Sequence, residues 1–296
     1  MSFIRLKCLD FGLFLICLFL LTSCASHRIS GWFQTENKIK ISKKEMKVIR
    51  SKALKSWNLR HKKSELEKAI VLYKKLSLAT EDNYNYLTRL SRAHYFLADA
   101  HLVEIDMKKK FWEIGTSYGE KAMATNKNFA RAMKLDGAKI EDNLTLLGEK
   151  EIGAMYWSAS NLGKWAKNSG IVTTLKYKTL IKKLISTVEK IDRSFFYYAP
   201  DRYWGAFYAI APGFAGGDMD KSKERFEKNI KNAPDYLGTR VLYADYYMVK
   251  KEDKKNFKRL LNEVIRTKVR DPLIHPENMV EKIKARELLR NIEDKF

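Results

Sequence analysis

Cysteine is scarce and crowded at one end. All three residues, Cys8, Cys17 and Cys24, fall in the first 24 positions of a 296-residue chain. Proline and glycine are few, at five and 14, which argues against a β-sandwich built from many short strands and turns. Five histidines and three cysteines leave little material for a metal site. Acidic residues are outnumbered 57 to 35 by lysine and arginine, giving a formal net charge of +22. At 45% hydrophobic and 31% charged, the chain can still bury a core and is no disordered polyelectrolyte. Abundant Lys, Leu, Ala and Glu favour helices.

The cysteines belong to an ordered N-terminal signal. Arg5 and Lys7 form a short basic region, and Phe11 to Leu21 is an unbroken apolar run. Such a run is too short to span a bilayer, which takes roughly 20 residues, but it suits a signal-peptide core. It ends in Leu21-Thr22-Ser23-Cys24, which resembles a bacterial lipobox. The expectation is a signal peptide over 1–23 and a lipidated, palmitate-bearing Cys24 that holds the chain to a membrane, two acyl chains anchoring far better than one. The competing reading is a buried N-terminal helix that happens to end in cysteine. With Cys24 acylated, no cysteine remains for a disulfide, and stability rests on packing alone.

Lysines and arginines dominate residues 38–63, where Glu45 is the single acid. Near a lipid anchor this density attracts anionic head groups at about 1 kcal/mol per charge. The plainer reading is a solvated tether and first helix. Export disfavours nucleic acid as the partner, and no nucleic-acid motif is present.

Helical periodicity prevails from about residue 42, with no alternation long enough for a strand. Ser64-Glu-Leu-Glu67 has capping-box spacing for a helix start. Leu87, Leu90, Ser91 and His94 follow the bulky, bulky, small, aromatic pattern of a tetratricopeptide repeat. Ser222, Phe226 and Pro234 match its second helix. Thr173 or Thr174 is expected to cap a helix with Leu180, Ile181, Leu184, Val188 and Ile191 inward. Asp253 is expected as an N-cap before the stripe Phe257, Leu260, Leu261, Val264 and Ile265. Pro276 opens a last helix with Val280, Ile283, Leu288 and Leu289 inward. The fold class expected is all-α: one compact domain of degenerate, tetratricopeptide-like repeats over 64–296, preceded by a segment 24–63 holding the anchor, tether and first helix.

Catalytic signatures are wanting. His94 and His101 lie two turns apart, about 10 Å, too far for one metal. No metalloprotease, nucleophile-elbow or cysteine-nucleophile pattern occurs after Cys24, and no cofactor motif is found. Gly213-Phe-Ala-Gly-Gly-Asp218 lacks the lysine of a phosphate loop and the terminal glutamate of a calcium loop. It reads as a tight turn with Asp218 or Asp220 capping the next helix. Aromatics crowd residues 197–214, either as inter-helix core or as a wall that a ligand touches.

The second half resembles a known family. Met155-Tyr-Trp157 and Asn161-Leu-Gly163-Lys-Trp165 are followed by the Gly-Gly-Asp loop, Ser222, Phe226, Tyr243-Ala-Asp-Tyr-Tyr247, Pro276-Glu-Asn278 and Leu288-Leu289. This order, over about 60–292, resembles the T-component (TatT-like) lipoproteins of tripartite ATP-independent periplasmic (TRAP) transporters. The resemblance implies a non-enzymatic periplasmic lipoprotein, a homo-trimer with a channel in each protomer, and a solute-binding protein as partner. Its channel-lining candidates here are Trp157, Trp165, Tyr203, Trp204, Phe214 and Asp218. The alternative is a tetratricopeptide-type scaffold lipoprotein for envelope assembly.

Overall fold

The computed structural model describes residues 28–34 and 36–296. The expected signal peptide and the expected lipidation site Cys24 lie outside the described residues. Among the described residues there is no strand, so the fold is all-α. None of their helices is long and apolar enough to cross a membrane.

The described residues form twelve α-helices: α1 Lys43–Asn58, α2 Lys63–Ala79, α3 Tyr84–His101, α4 Ile105–Met123, α5 Lys127–Ala132, α6 Ile152–Lys167, α7 Ile171–Ile191, α8 Phe195–Ile210, α9 Met219–Asn232, α10 Gly238–Leu242, α11 Lys254–Arg266 and α12 His275–Arg290. A π-helical turn, Tyr243–Met248, continues α10. Chain neighbours pack along much of this order: α1 on α2, α2 on α3, α3 on α4, α6 on α7, α8 on α9 and α11 on α12. One apolar core joins α1–α4 with α6–α8, and a second joins α9–α12.

Side-chain caps set several starts. Asp218 accepts from the backbone N–H groups of Asp220 and Lys221, and Asp253 from that of Asn256. Pro276 stands in the first turn of α12, where its missing N–H costs nothing. Two expected caps fail. Ser64 lies inside α2, because a tight turn at Leu59–Lys62 puts the N-cap two residues earlier, at Lys62. Gly170, at φ 99°, opens α7 in place of Thr173 or Thr174. The hydroxyl of Thr174 instead donates to the carbonyls of Ala166 and Gly170. Ile283 was expected inward and is half exposed, on the outer side of α12.

The described chain is packed down from its first residue, Arg28. Arg28 is buried and ion-paired with Glu120 of α4 at 2.6 Å, and Glu120 also accepts from the Gly31 N–H. Breaking a buried pair of this kind costs about 3–5 kcal/mol, because the remaining charge is stranded. At the other end, Glu277 of α12 accepts from Arg60 and Arg92, which ties the N-terminal helices to the last one.

Helix α8 begins abnormally. Phe196, Tyr197 and Tyr198 hold φ of 44°, 60° and 55°, a left-handed turn of three L-residues. Each costs about 1–2 kcal/mol against the right-handed conformation. The regular helix then starts at Ala199-Pro200, again with proline in a first turn.

A candidate solute site

A cavity of about 820 Å³ lies between the two cores. Trp157, Tyr156 and Tyr203 reach it from the first core, and Val241, Leu242 and Leu288 from the second. Exposed Ile171, Leu175 and Ile210 line it beside Lys167, Lys178 and Lys182, with Glu287 and Asn291 exposed among the lining as well. The π-helical turn adds Asp245 and Tyr246 to the wall. π turns recur at functional positions because they re-aim side chains.

Two charged groups occupy the wall. In one, Asp99 of α3 accepts from Lys164 of α6 at 2.8 Å and from Lys284 of α12, which also pairs with Glu281. Burial opposes ionisation of Asp99, yet the two ammonium groups hold its carboxyl well below the usual carboxylate range. Burial likewise works against both lysines, and Asp99 raises each of them. This group is internally balanced.

The other is not. Arg202 of α8 is 5% exposed. Its guanidinium lies 4.0 Å over the Tyr236 ring and donates to the Tyr197 carbonyl at 3.2 Å. Contacts at 3.5 Å reach the Tyr156 hydroxyl and the Phe196 carbonyl. No carboxylate among the described residues pairs with it. Its sequence neighbour Asp201 faces elsewhere and is shared by Arg193 and Arg225. Arginine stays charged in any protein environment, so the cavity wall carries a buried, uncompensated cation. Arg92, above Phe196 at 4.4 Å, is by contrast paired with Glu277. The Ser160 hydroxyl, also on the wall, is buried without a hydrogen-bond partner among the described residues. Eight cationic against five anionic side chains line the cavity, so its wall is net positive beside the apolar surface.

Of the residues singled out from sequence, Trp157 and Tyr203 border the cavity. The other four stand away from it. Trp165 is core, edge-on to Tyr177. Trp204 is core too, its indole N–H bonded to Glu189 at 2.9 Å. Phe214 is 83% exposed in the loop before α9. Asp218 is spent on the α9 cap and an ion pair with Lys221. Trp165 and Trp204 are displaced because a helix turns neighbouring residues to different faces, and theirs do not meet the cavity; Phe214 and Asp218 lie in the turn that precedes α9. His94 is core, its Nδ1 2.8 Å from the Leu90 carbonyl.

Sequence reasoning passed over Arg202, Asp99, Lys164 and Lys284. For Arg202 a signal existed: a charged residue set in the aromatic run Phe195–Tyr208. The other three come from three helices and leave no local spacing to read. Among the described residues, no group of histidines, cysteines and acids is placed to hold a metal.

No curated protein matches the chain. Residues 98–296, which hold α4–α12 and nearly the whole cavity wall, match the protein family described as TRAP transporter T-component. That match spans well over half of the sequence, and the chain belongs to the TRAP transporter T-component family.

Proposed function

We propose that this T-component is a lipid-anchored envelope protein that receives a small amphipathic organic anion from the transporter's periplasmic solute-binding protein. The single observation behind this is the uncompensated Arg202 on an otherwise aromatic wall. A carboxylate would satisfy the guanidinium by a bidentate, charge-assisted pair. Trp157, Tyr203 and Tyr236 would cover the apolar body. The basic and apolar part of the exposed lining suits an acidic partner surface, so the solute-binding protein docks there. Cys24 is the anchor, with three residues in sequence between it and the buried Arg28. The trimer belongs to the same reading.

The helices pair as degenerate tetratricopeptide repeats. Supporting this, the Ser91 hydroxyl donates to the Gly115 carbonyl across one helix pair, and the Ser222 hydroxyl to the Gly205 carbonyl across another, both at 2.7 Å. A deep cavity, in place of an open concave groove, favours solute handling over the scaffold alternative.

A photo-crosslinking residue at Leu175 in the exposed lining tests the partner. In the native envelope it is expected to capture the solute-binding protein of the same transporter. The same residue at Val71 on α2, outside the cavity wall, is expected not to. Equal capture at both positions, or none at Leu175, would overturn the docking assignment.

A further inference from the structure

The left-handed turn Phe196–Tyr198 is costly and has no local cause, since its residues are aromatic and none is glycine. It persists because other groups over-determine it. The Asn229 side chain, fully buried on α9, donates to the carbonyls of Tyr197 at 3.0 Å and Tyr198 at 2.6 Å. Its own carbonyl oxygen accepts from the Thr239 hydroxyl at 2.6 Å. With all its amide contacts assigned, Asn229 has one orientation. Opposite it, Arg202 meets the carbonyls of Tyr197 and Phe196. The Tyr197 carbonyl is therefore shared between the amide of Asn229 and the guanidinium. Tyr197 also stacks on Tyr236, the ring beneath that guanidinium, and its hydroxyl donates to Asp271.

The chemistry of these partners matters. A carboxylate would hold Arg202 in place and cancel its charge. Backbone carbonyls hold it by dipoles and leave the charge free for a ligand. Right-handed backbone at 196–198 would aim these carbonyls elsewhere.

We propose that Asn229 is a positioning residue: by clamping the left-handed turn, it fixes the carbonyls that orient the Arg202 guanidinium at the cavity. This rests on the reading of Arg202 as the anion anchor.

The test uses the full chain in lipid nanodiscs and two probes, 4-phenylbutyrate and its neutral amide, titrated calorimetrically. An aromatic body with one carboxylate matches an aromatic wall with one unpaired cation. The wild type is expected to prefer the acid by about tenfold, and Arg202→Gln to lose that preference. Asn229→Ala and Thr239→Val are expected to bring the ratio toward one while the amide binds within about twofold of wild type. Should Asn229→Ala not fold, Thr239→Val carries the test. Variants that keep the acid preference, or weaken both probes alike, would reduce Asn229 to a structural residue and leave the Arg202 reading intact. A wild type without acid preference, or an Arg202→Gln that retains it, would overturn the Arg202 reading itself.

Discussion

The guanidinium of Arg202 rests 4.0 Å above the ring of Tyr236 and, among the described residues, faces no carboxylate, although Asp201 is its neighbour in sequence. A buried cation held by aromatic rings, carbonyl dipoles and the Tyr156 hydroxyl is a stability cost, which the proposed anion site would account for. Arg202→Met is therefore expected to leave the urea midpoint unchanged or raise it, while abolishing preferential binding of organic anions. A loss of more than about 2 kcal/mol would instead make Arg202 a stabilising core residue.

Trp204 and Trp157 separate core from wall. Trp204→Ala removes a buried indole and its bond to Glu189, and is expected to destabilise by about 3–5 kcal/mol. The remaining folded fraction should bind ligand normally. Trp157, edge-on to both Tyr156 and Phe196, borders the cavity, so Trp157→Ala should lower stability and binding together. Unfolding curves and calorimetry on the same samples distinguish these outcomes.

The helices were legible because their apolar stripes recur at helical spacing, and the caps Asp218 and Asp253 stood where such stripes begin. The start of α8 was not legible. Nothing in Phe195-Phe-Tyr-Tyr198 asks for a left-handed turn, which is imposed by Asn229, more than 30 positions away. The site was half legible. Aromatic density marked the region, but which aromatics face the cavity depends on how α6 and α8 are rotated against their neighbours. Asp99, Lys164 and Lys284 are joined across separations of 65 and 185 residues, which no local pattern reveals.

The turn before α9 is expected to be intolerant at one glycine and permissive at another. A Cβ on Gly217 would stand 1.8 Å from the Ala211 carbonyl oxygen, whereas one on Gly213 would meet nothing within 4 Å. Gly217→Val should cost more than about 2 kcal/mol, and Gly213→Val less than about 0.5 kcal/mol. Thermal unfolding of the two variants checks the contrast.

Acid should weaken the fold partly through His94. Burial among Phe111 and Tyr118 pushes its pKa down to about 4, from about 6.5 in the unfolded chain. Well above pH 6.5 the imidazole is neutral in both states and contributes no pH dependence. Below it the unfolded chain takes up a proton that the folded one refuses, so stability falls from pH 6.5 to about 4, by up to roughly 3 kcal/mol. His94→Phe should flatten that part of the curve. An unchanged slope between pH 6.5 and 4.5 would assign it to other groups.

The most direct measurement is a crystal structure of the protein soaked with 4-phenylbutyrate. The expected result is a carboxylate about 3 Å from the Arg202 guanidinium, with the phenyl ring against Trp157 or Tyr203. An empty cavity, or a carboxylate held only by the lining lysines Lys178 and Lys182, would contradict the central claim that this cavity is an anion site built around Arg202.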